Sequence, residues 1–148
     1  MIRLSPRDAF LIGLAATLAF RLWLSVALPV TVDEAYFILW GRNPDLGFYD
    51  HPPMIGWWLA PLVALSDAGW VARLPATLAP AAVALAARAA LVRWFGRDAD
   101  TANLVALAIL LVPINVINVL VTTDAPLLVF SFAALLVFLR AVQRDAKA

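Results

Sequence analysis

Residues 33–53 read DEAYFILWGRNPDLGFYDHPP and lie between long apolar segments; they hold an acidic pair, several aromatic side chains, the only histidine and two adjacent prolines. The whole chain of 148 residues is 64% hydrophobic and 14% charged, whereas globular domains are about 45–50% apolar and about 25% charged. A net charge of +1 disfavours nucleic acid as a partner, and the absence of cysteine excludes disulfides and thiolate metal sites. The composition therefore indicates a membrane protein.

Four apolar segments are long enough to cross a bilayer, which takes roughly 20 apolar residues of helix. They cover about residues 9–30, 71–92, 101–121 and 125–142. The first segment is too long for the apolar part of a signal peptide, so we expect a retained membrane anchor. Arg73 and Arg88, near the ends of the second segment, are expected to extend toward the interface. The predicted fold class is all-α integral membrane, with about four transmembrane helices.

The basic residues predict how the chain is oriented in the membrane. Eight of the 11 Lys and Arg residues fall on one side of these spans, namely Arg3, Arg7, Arg88, Arg93, Arg97, Arg140, Arg144 and Lys147. Because cytoplasmic loops carry an excess of Lys and Arg, we expect both termini in the cytoplasm. The loop 31–70 and Asp124 then share the outer face.

The outer loop is predicted to contain two short helices. Residues 35–40 form an apolar stretch that two carboxylates precede, and carboxylates suit the positive end of a helix. Residues 54–65 are too short to cross a bilayer, so we expect a helix that lies in the interface. Aromatic side chains of the kind found at headgroup depth flank both, namely Tyr36, Trp40, Phe48, Tyr49, Trp57, Trp58 and Trp70.

Two candidate sites lie in this loop, and each has two interpretations. Asp33 and Glu34 are either a solvated pair at a helix N-terminus or a general base at the membrane surface. His51 lies in Asp50-His51-Pro52-Pro53, where proline restricts the backbone. It is either a ligand for a metal or a phosphate, or a hydrogen-bonded corner residue.

Two further candidates lie in or beside the spans. Asp124 is expected to cap the fourth span, at a helix end that also suits an anion. Arg21 lies inside the first span, where a charge is costly. It either pairs with Asp124 or Glu34, or binds an anionic headgroup through two hydrogen bonds. Asn115 and Asn118 are expected to bond between helices or to line the same cavity.

Several ordered motifs resemble one family of enzymes. Asp33-Glu34-Ala35-Tyr36, Trp40, Gly47 and Asp50-His51-Pro52-Pro53 are similar to the first outer loop of polyprenol-dependent GT-C glycosyltransferases, in the bacterial branch of the dolichyl-phosphate-mannose-protein mannosyltransferase superfamily that includes the aminoarabinose transferases of lipid A. Thr123-Asp124-Ala125-Pro126-Leu127 resembles that group's second outer motif, and Arg73-Leu74-Pro75 also fits. Phe37 and the order Phe48-Tyr49 depart from the pattern but keep an aromatic. Such enzymes are much longer, so the resemblance implies the N-terminal part of a GT-C transmembrane domain, inactive as a fragment alone.

The resemblance implies an inverting transfer of a hexosyl or pentosyl group from a polyprenyl-phosphate donor to a lipid, glycan or protein acceptor. The site would face the periplasm or exterior of the inner (plasma) membrane. Asp33 would be the base, Asp124 would complete the catalytic set, and Glu34 would orient Asp33 or bind a divalent cation with His51. Substrate or lipid phosphate would contact His51, Arg21, Tyr36 and Tyr49. The alternative is a non-catalytic four-span membrane protein, such as a transporter half or an assembly subunit.

Overall fold

The computed structural model describes residues 4–145, and within them the chain is all-helical, which confirms the predicted fold class. Its eight helices are α1 (Pro6–Ala27), α2 (Val32–Arg42), α3 (Met54–Leu65), α4 (Gly69–Ala72), α5 (Leu74–Arg93), α6 (Ala99–Leu110), α7 (Pro113–Ile117) and α8 (Asp124–Asp145). Arg3 and Lys147, which entered the orientation argument, lie outside the described residues.

Among residues 4–145, three helical stretches are long and apolar enough to cross a membrane, Pro6–Ala27, Gly69–Arg93 and Asp124–Arg144. The predicted span 101–121 is not one helix, because α6 ends at Leu110 and a short α7 and a non-helical segment follow. Pro113 explains the break, since it lacks an N–H and disfavours helical geometry at the residue before it. Val112 accordingly has φ −57° and ψ 128°. The chain is a multi-pass membrane protein, and the helix predicted for its third span is interrupted.

Small side chains let the membrane helices approach closely. Ala81 and Ala84 of α5 pack with Ala106 and Leu110 of α6, and Phe10 of α1 completes this cluster. Small residues at such contacts favour helix association in membranes, where apolar burial alone gives little drive. α8 packs against α5 and leaves most of its apolar side chains exposed, as a lipid-facing helix does.

The segment between α1 and α5, together with Val121, forms a second core. We call the end of the bundle where this core lies the loop end. The members of this core are Phe37, Trp40, Ile55, Leu59, Ala72 and Val121. Trp40 stacks on Phe48 with ring centroids 3.9 Å apart, so these two aromatics pack inside rather than facing the headgroups as expected. Tyr49, Trp57 and Trp70 are exposed. The helix over residues 54–65 is confirmed.

Candidate functional site

A buried ion pair lies at the centre of the loop end. Arg73 donates from Nε to Oε1 of Glu34 at 2.7 Å and from Nη2 to Oε2 at 2.6 Å, and each residue is 1% exposed. Glu34 also accepts from the backbone N–H of Thr31 at 3.0 Å, and the Thr31 hydroxyl accepts from the N–H of Glu34. This reciprocal arrangement is a capping box, and it begins α2.

Arg73 also closes the C-terminal end of α1. Its Nη atoms donate to the carbonyls of Ser25, Leu28 and Pro29 at 2.7–2.8 Å. The carbonyl of Ser25 would ordinarily bond the N–H four residues on, but that residue is Pro29, which has none. Arg73 therefore does not extend toward the interface as expected; it joins the end of α1 to the start of α2.

Glu34 also connects the first loop to the segment before α8. The N–H of Val121 donates to its Oε1 atom at 3.0 Å. Burial alone would raise the pKa of the Glu34 carboxyl, but hydrogen bonds from Arg73, Thr31 and Val121 outweigh burial and lower the pKa from its ordinary value. Both oxygens are thus committed within the protein. This geometry argues against the expected roles of Glu34 in proton transfer and in metal binding.

An exposed polar cluster lies beside this pair, where α2 meets the Asp50-His51 corner. The hydroxyl of Tyr36 donates to Oδ1 of Asp50 at 3.2 Å. Partial burial, followed by the nearby Asp50 carboxylate, raises the pKa of Tyr36. His51 Nε2 lies 3.9 Å from Oδ2 of Asp50, and its ring centroid lies 5.8 Å from that of Phe37. The structure thus brings Tyr36, Asp50 and His51 together.

Asp33 begins the same face of α2. It precedes Tyr36 by three residues and Phe37 by four, and residues at these spacings are neighbours on a helix. Its carboxylate is exposed, and among the described residues no hydrogen bond or ion pair involves its side chain. It is therefore accessible, whereas its neighbour Glu34 is not. Tyr49, also expected in the site, is fully exposed and lies outside this cluster's hydrogen bonds.

Asp124 lines a cavity at the loop end, and its neighbour Thr123 lines an adjoining groove. Asp124 is the first residue of α8 rather than a cap before it, and its N–H and carboxylate both contact the Thr122 hydroxyl at 3.4 Å. It lines a cavity of about 240 Å³ together with Arg21, Asn115 and Asn118. A neighbouring apolar groove of about 300 Å³ is lined by Pro52, Met54, Ile55, Thr123, Pro126, Leu127 and Phe130. The groove joins the two motifs that lie far apart in the sequence.

Arg21 pairs with neither carboxylate proposed for it. Its Nε atom donates to the carbonyl of Thr77 at 2.9 Å, and its Nη2 atom donates to those of Ala76 at 2.6 Å and Asn118 at 2.7 Å. Nη1 donates to the carbonyl of Asn115. Four backbone carbonyls thus hold the guanidinium, and the side chain is 1% exposed. This arrangement leaves little of Arg21 for a lipid phosphate.

The described residues do not assemble a metal site, since no group of three or more His, Asp or Glu side chains in that part of the chain could hold a cation. Asp50 and His51 are adjacent, but Glu34 is committed to Arg73. The residues present therefore do not fit a resident divalent cation by themselves.

Sequence reasoning missed the role of Glu34, although a signal for it was present. Thr31-Val32-Asp33-Glu34 fits the capping-box pattern, in which the carboxylate of the fourth residue accepts a hydrogen bond from the backbone N–H of the first. The contact from Val121 is different, because it joins residues 87 positions apart and no local pattern indicates it.

Comparisons with known proteins agree with the motifs. The family model described as Dolichyl-phosphate-mannose-protein mannosyltransferase matches residues 50–148. A curated relative, the lipid A galacturonosyltransferase RgtD of Rhizobium johnstonii, is 34% identical over 149 residues. The match covers 95% of this chain and 30% of the relative, so the chain spans less than a third of that protein's length. No solved structure matches the chain.

Proposed function

Because the chain belongs to the dolichyl-phosphate-mannose-protein mannosyltransferase family of GT-C glycosyltransferases, we propose that it supplies part of the active site of a membrane glycosyltransferase. The proposed reaction moves a sugar from a polyprenyl-phosphate donor to an acceptor, with inversion. The proposed location is the extracytoplasmic face of the inner membrane. The excess of Lys and Arg beyond the opposite ends of the spans supports this orientation.

One observation carries the proposal: Pro52, next to the Asp50-His51 corner, and Thr123, next to Asp124, line one apolar groove at the loop end. Asp124 itself lines the adjoining cavity. In a single displacement the acceptor hydroxyl attacks the anomeric carbon as the carbon–phosphate oxygen bond breaks. The hydroxyl proton passes to a carboxylate, and the phosphate leaves with the bonding electrons. Asp33 is our choice for that base, because its carboxylate is exposed at the start of α2.

The other residues of the cluster serve binding in this proposal. An imidazole N–H of His51 can donate to a phosphate oxygen and so favour the developing charge on the leaving group. Asp124 lines the cavity beside the groove and would orient the acceptor or the sugar. Tyr36 holds the Asp50 carboxylate beside His51.

The apolar groove supports a lipid-linked donor. Its lining includes Met54, Ile55, Leu127 and Phe130, with Thr123 as its polar member. An isoprenoid chain buries favourably on such a surface while its phosphate stays near His51 and Asp124. The relative is a lipid A galacturonosyltransferase, which favours a lipid acceptor over a glycan or a protein.

We further propose that the site is completed by residues beyond this chain, which matches 30% of the relative. The described residues do not form a cation site. No step of the proposed reaction is therefore assigned to a metal.

A chimera tests this proposal. The present chain replaces the segment of RgtD that it matches, and transfer of galacturonic acid to a lipid A precursor is measured in proteoliposomes with a lipid-linked donor. We expect transfer by the chimera and its loss with Asp33→Asn or Asp124→Asn. Asp67→Asn is the matched control, since Asp67 is an exposed carboxylate at the same end that pairs with Arg42. Full turnover with Asp33→Asn would remove Asp33 from the role of base.

A further inference from the structure

Two prolines leave backbone carbonyls of α5 and α6 without their helical partners. A proline has no N–H, so the carbonyl four residues before it cannot make its helical hydrogen bond. Pro80 in this way frees the carbonyl of Ala76 in α5, and Pro113 frees that of Ile109 in α6. Within a bilayer no water can bond such a carbonyl, so leaving it unbonded is strongly unfavourable.

Two side chains, the buried Arg21 and the partly buried Asn115, supply the missing donors. Arg21 Nη2 donates to the carbonyl of Ala76 at 2.6 Å, and the side-chain amide of Asn115 donates to that of Ile109 at 2.8 Å. The two donors are themselves linked, because Arg21 Nη1 donates to the backbone carbonyl of Asn115. α5 and the broken end of α6 are therefore held by one connected network.

The network continues toward Asp124. Arg21 Nη2 also donates to the carbonyl of Asn118, and the Asn118 side chain accepts from the N–H of Leu120 at 3.2 Å. The next residue, Val121, donates to Glu34. The non-helical segment 118–123 is thus fixed at its first residue by Arg21 and near its middle by Glu34, and it ends at Asp124.

We propose that Arg21 is a positioning residue: by holding Asn115 and Asn118 against α5, it sets where Asp124 stands over the cavity of about 240 Å³. This inference rests on the proposed function for its catalytic consequence, and on the hydrogen bonds alone for its structural one. The guanidinium suits the role because its planar fork directs donors to α5 and to the 115–118 segment at the same time. A lysine ammonium is a single point charge with three donors and cannot span both.

Hydrogen exchange on the chain in lipid nanodiscs tests the structural step. We expect Arg21→Lys to raise exchange at the amides of residues 119–123 by roughly tenfold or more, the factor that one hydrogen bond to a charged group supplies. Amides of α6 between residues 102 and 107 serve as the internal reference for folding. Arg88→Lys is the matched control, since Arg88 is an arginine of the same bundle that bonds the Asn103 side chain and no residue of the 115–118 segment. Wild-type exchange at 119–123 in a folded Arg21→Lys protein would overturn the inference.

A second variant distinguishes two roles of Arg21: positioning of the segment before Asp124, and supply of a hydrogen bond to the free Ala76 carbonyl of α5. Pro80→Ala restores an N–H for the Ala76 carbonyl, so it should recover thermal stability in the Arg21→Lys background. It should not recover protection at residues 119–123, because the carbonyls of Asn115 and Asn118 still lack their donor. Recovery of both thermal stability and protection would show that Arg21 acts only by bonding the Ala76 carbonyl of α5, and would contradict the proposal.

Kinetics of the chimera test the catalytic step. We expect Arg21→Lys to lower kcat at least roughly tenfold, with the KM for the donor within about twofold, since the residue contacts backbone rather than substrate. A raised KM with unchanged kcat would contradict positioning. If the unsubstituted chimera folds but transfers no sugar, the proposed function fails, while the exchange results still decide whether Arg21 fixes the segment before Asp124.

Discussion

Arg73 and Glu34 form a bidentate ion pair in which the carboxylate also accepts a hydrogen bond from the N–H of Val121. Glu34 follows Asp33 directly, and Val121 precedes Asp124 by three residues. One buried pair therefore fixes both segments that lead to the exposed carboxylates of the proposed site. Substitution of Arg73 or Glu34 should therefore destabilise the fold, and the proposed site should change as a consequence.

Removal of one partner should destabilise the protein strongly. We expect Arg73→Met to lower the free energy of unfolding by about 3–5 kcal/mol, because it leaves a buried carboxylate unpaired. Arg42→Met is the control, since Arg42 pairs with Asp67 at 2.6 Å but both side chains are at least half exposed, and such a pair contributes about 0–1 kcal/mol. Denaturant unfolding in detergent micelles measures both. Equal losses for the two variants would contradict a special role for the buried pair.

The same pair predicts how stability depends on pH. Because the folded pKa of Glu34 is lowered, its contribution is fully present above the unfolded value of about 4.3 and is lost as pH falls through the folded pKa. Hydrogen bonds from Thr101, both backbone and side chain, lower the pKa of Asp98 as well, so Asp98→Asn serves as the background. In that background, the melting temperature should fall below about pH 4. Glu34→Gln should remove most of this acid dependence, and an unchanged acid loss would assign it to other groups.

Close packing of α2 on α3 gives a prediction about glycines. A Cβ atom at Gly41 would lie 2.7 Å from Cβ of Leu59, whereas a Cβ at Gly47 would meet nothing within 4 Å. Gly41→Ala should therefore lower the free energy of unfolding by about 1–3 kcal/mol through overpacking. The higher helix propensity of alanine offsets up to about 1 kcal/mol of that loss. Gly47→Ala should be nearly neutral. Thermal unfolding of the two variants measures the difference, and a stabilised Gly41→Ala would mean that the two helices separate easily.

The elements predictable from sequence are those that local chemistry determines. Composition gave the all-α membrane class, and length with apolar content gave the helix over residues 54–65, since both depend on neighbouring residues alone. Pro113 could have predicted the end of α6, because proline disrupts helices locally. The Asp50-His51-Pro52-Pro53 motif and the Thr123-Asp124 motif were expected to share one face, and one groove is lined by Pro52 of the first and Thr123 of the second.

The partners of buried charged side chains could not be predicted in this way. Arg21 bonds carbonyls 55–97 residues away, and Arg73 bonds carbonyls and a carboxylate 39–48 residues away. Arg21 was expected to pair with Asp124 or Glu34, but it donates instead to backbone carbonyls, one of them freed by Pro80 and another at the end of α7. The physical reason is that a backbone carbonyl without a hydrogen bond in a bilayer also requires a donor.

Divalent cations should not stabilise this chain. The described residues hold no three-ligand group, and Asp50 with His51 supplies two donors. We expect ZnCl₂, MgCl₂ and EDTA to leave the melting temperature unchanged, and His51→Gln to respond in the same way. A cation at 100 times its Kd would stabilise the folded chain by about 2.7 kcal/mol, so even a moderate site is measurable. A saturable rise in melting temperature that His51→Gln abolishes would restore the metal role of His51 and place further ligands beside the Asp50 corner.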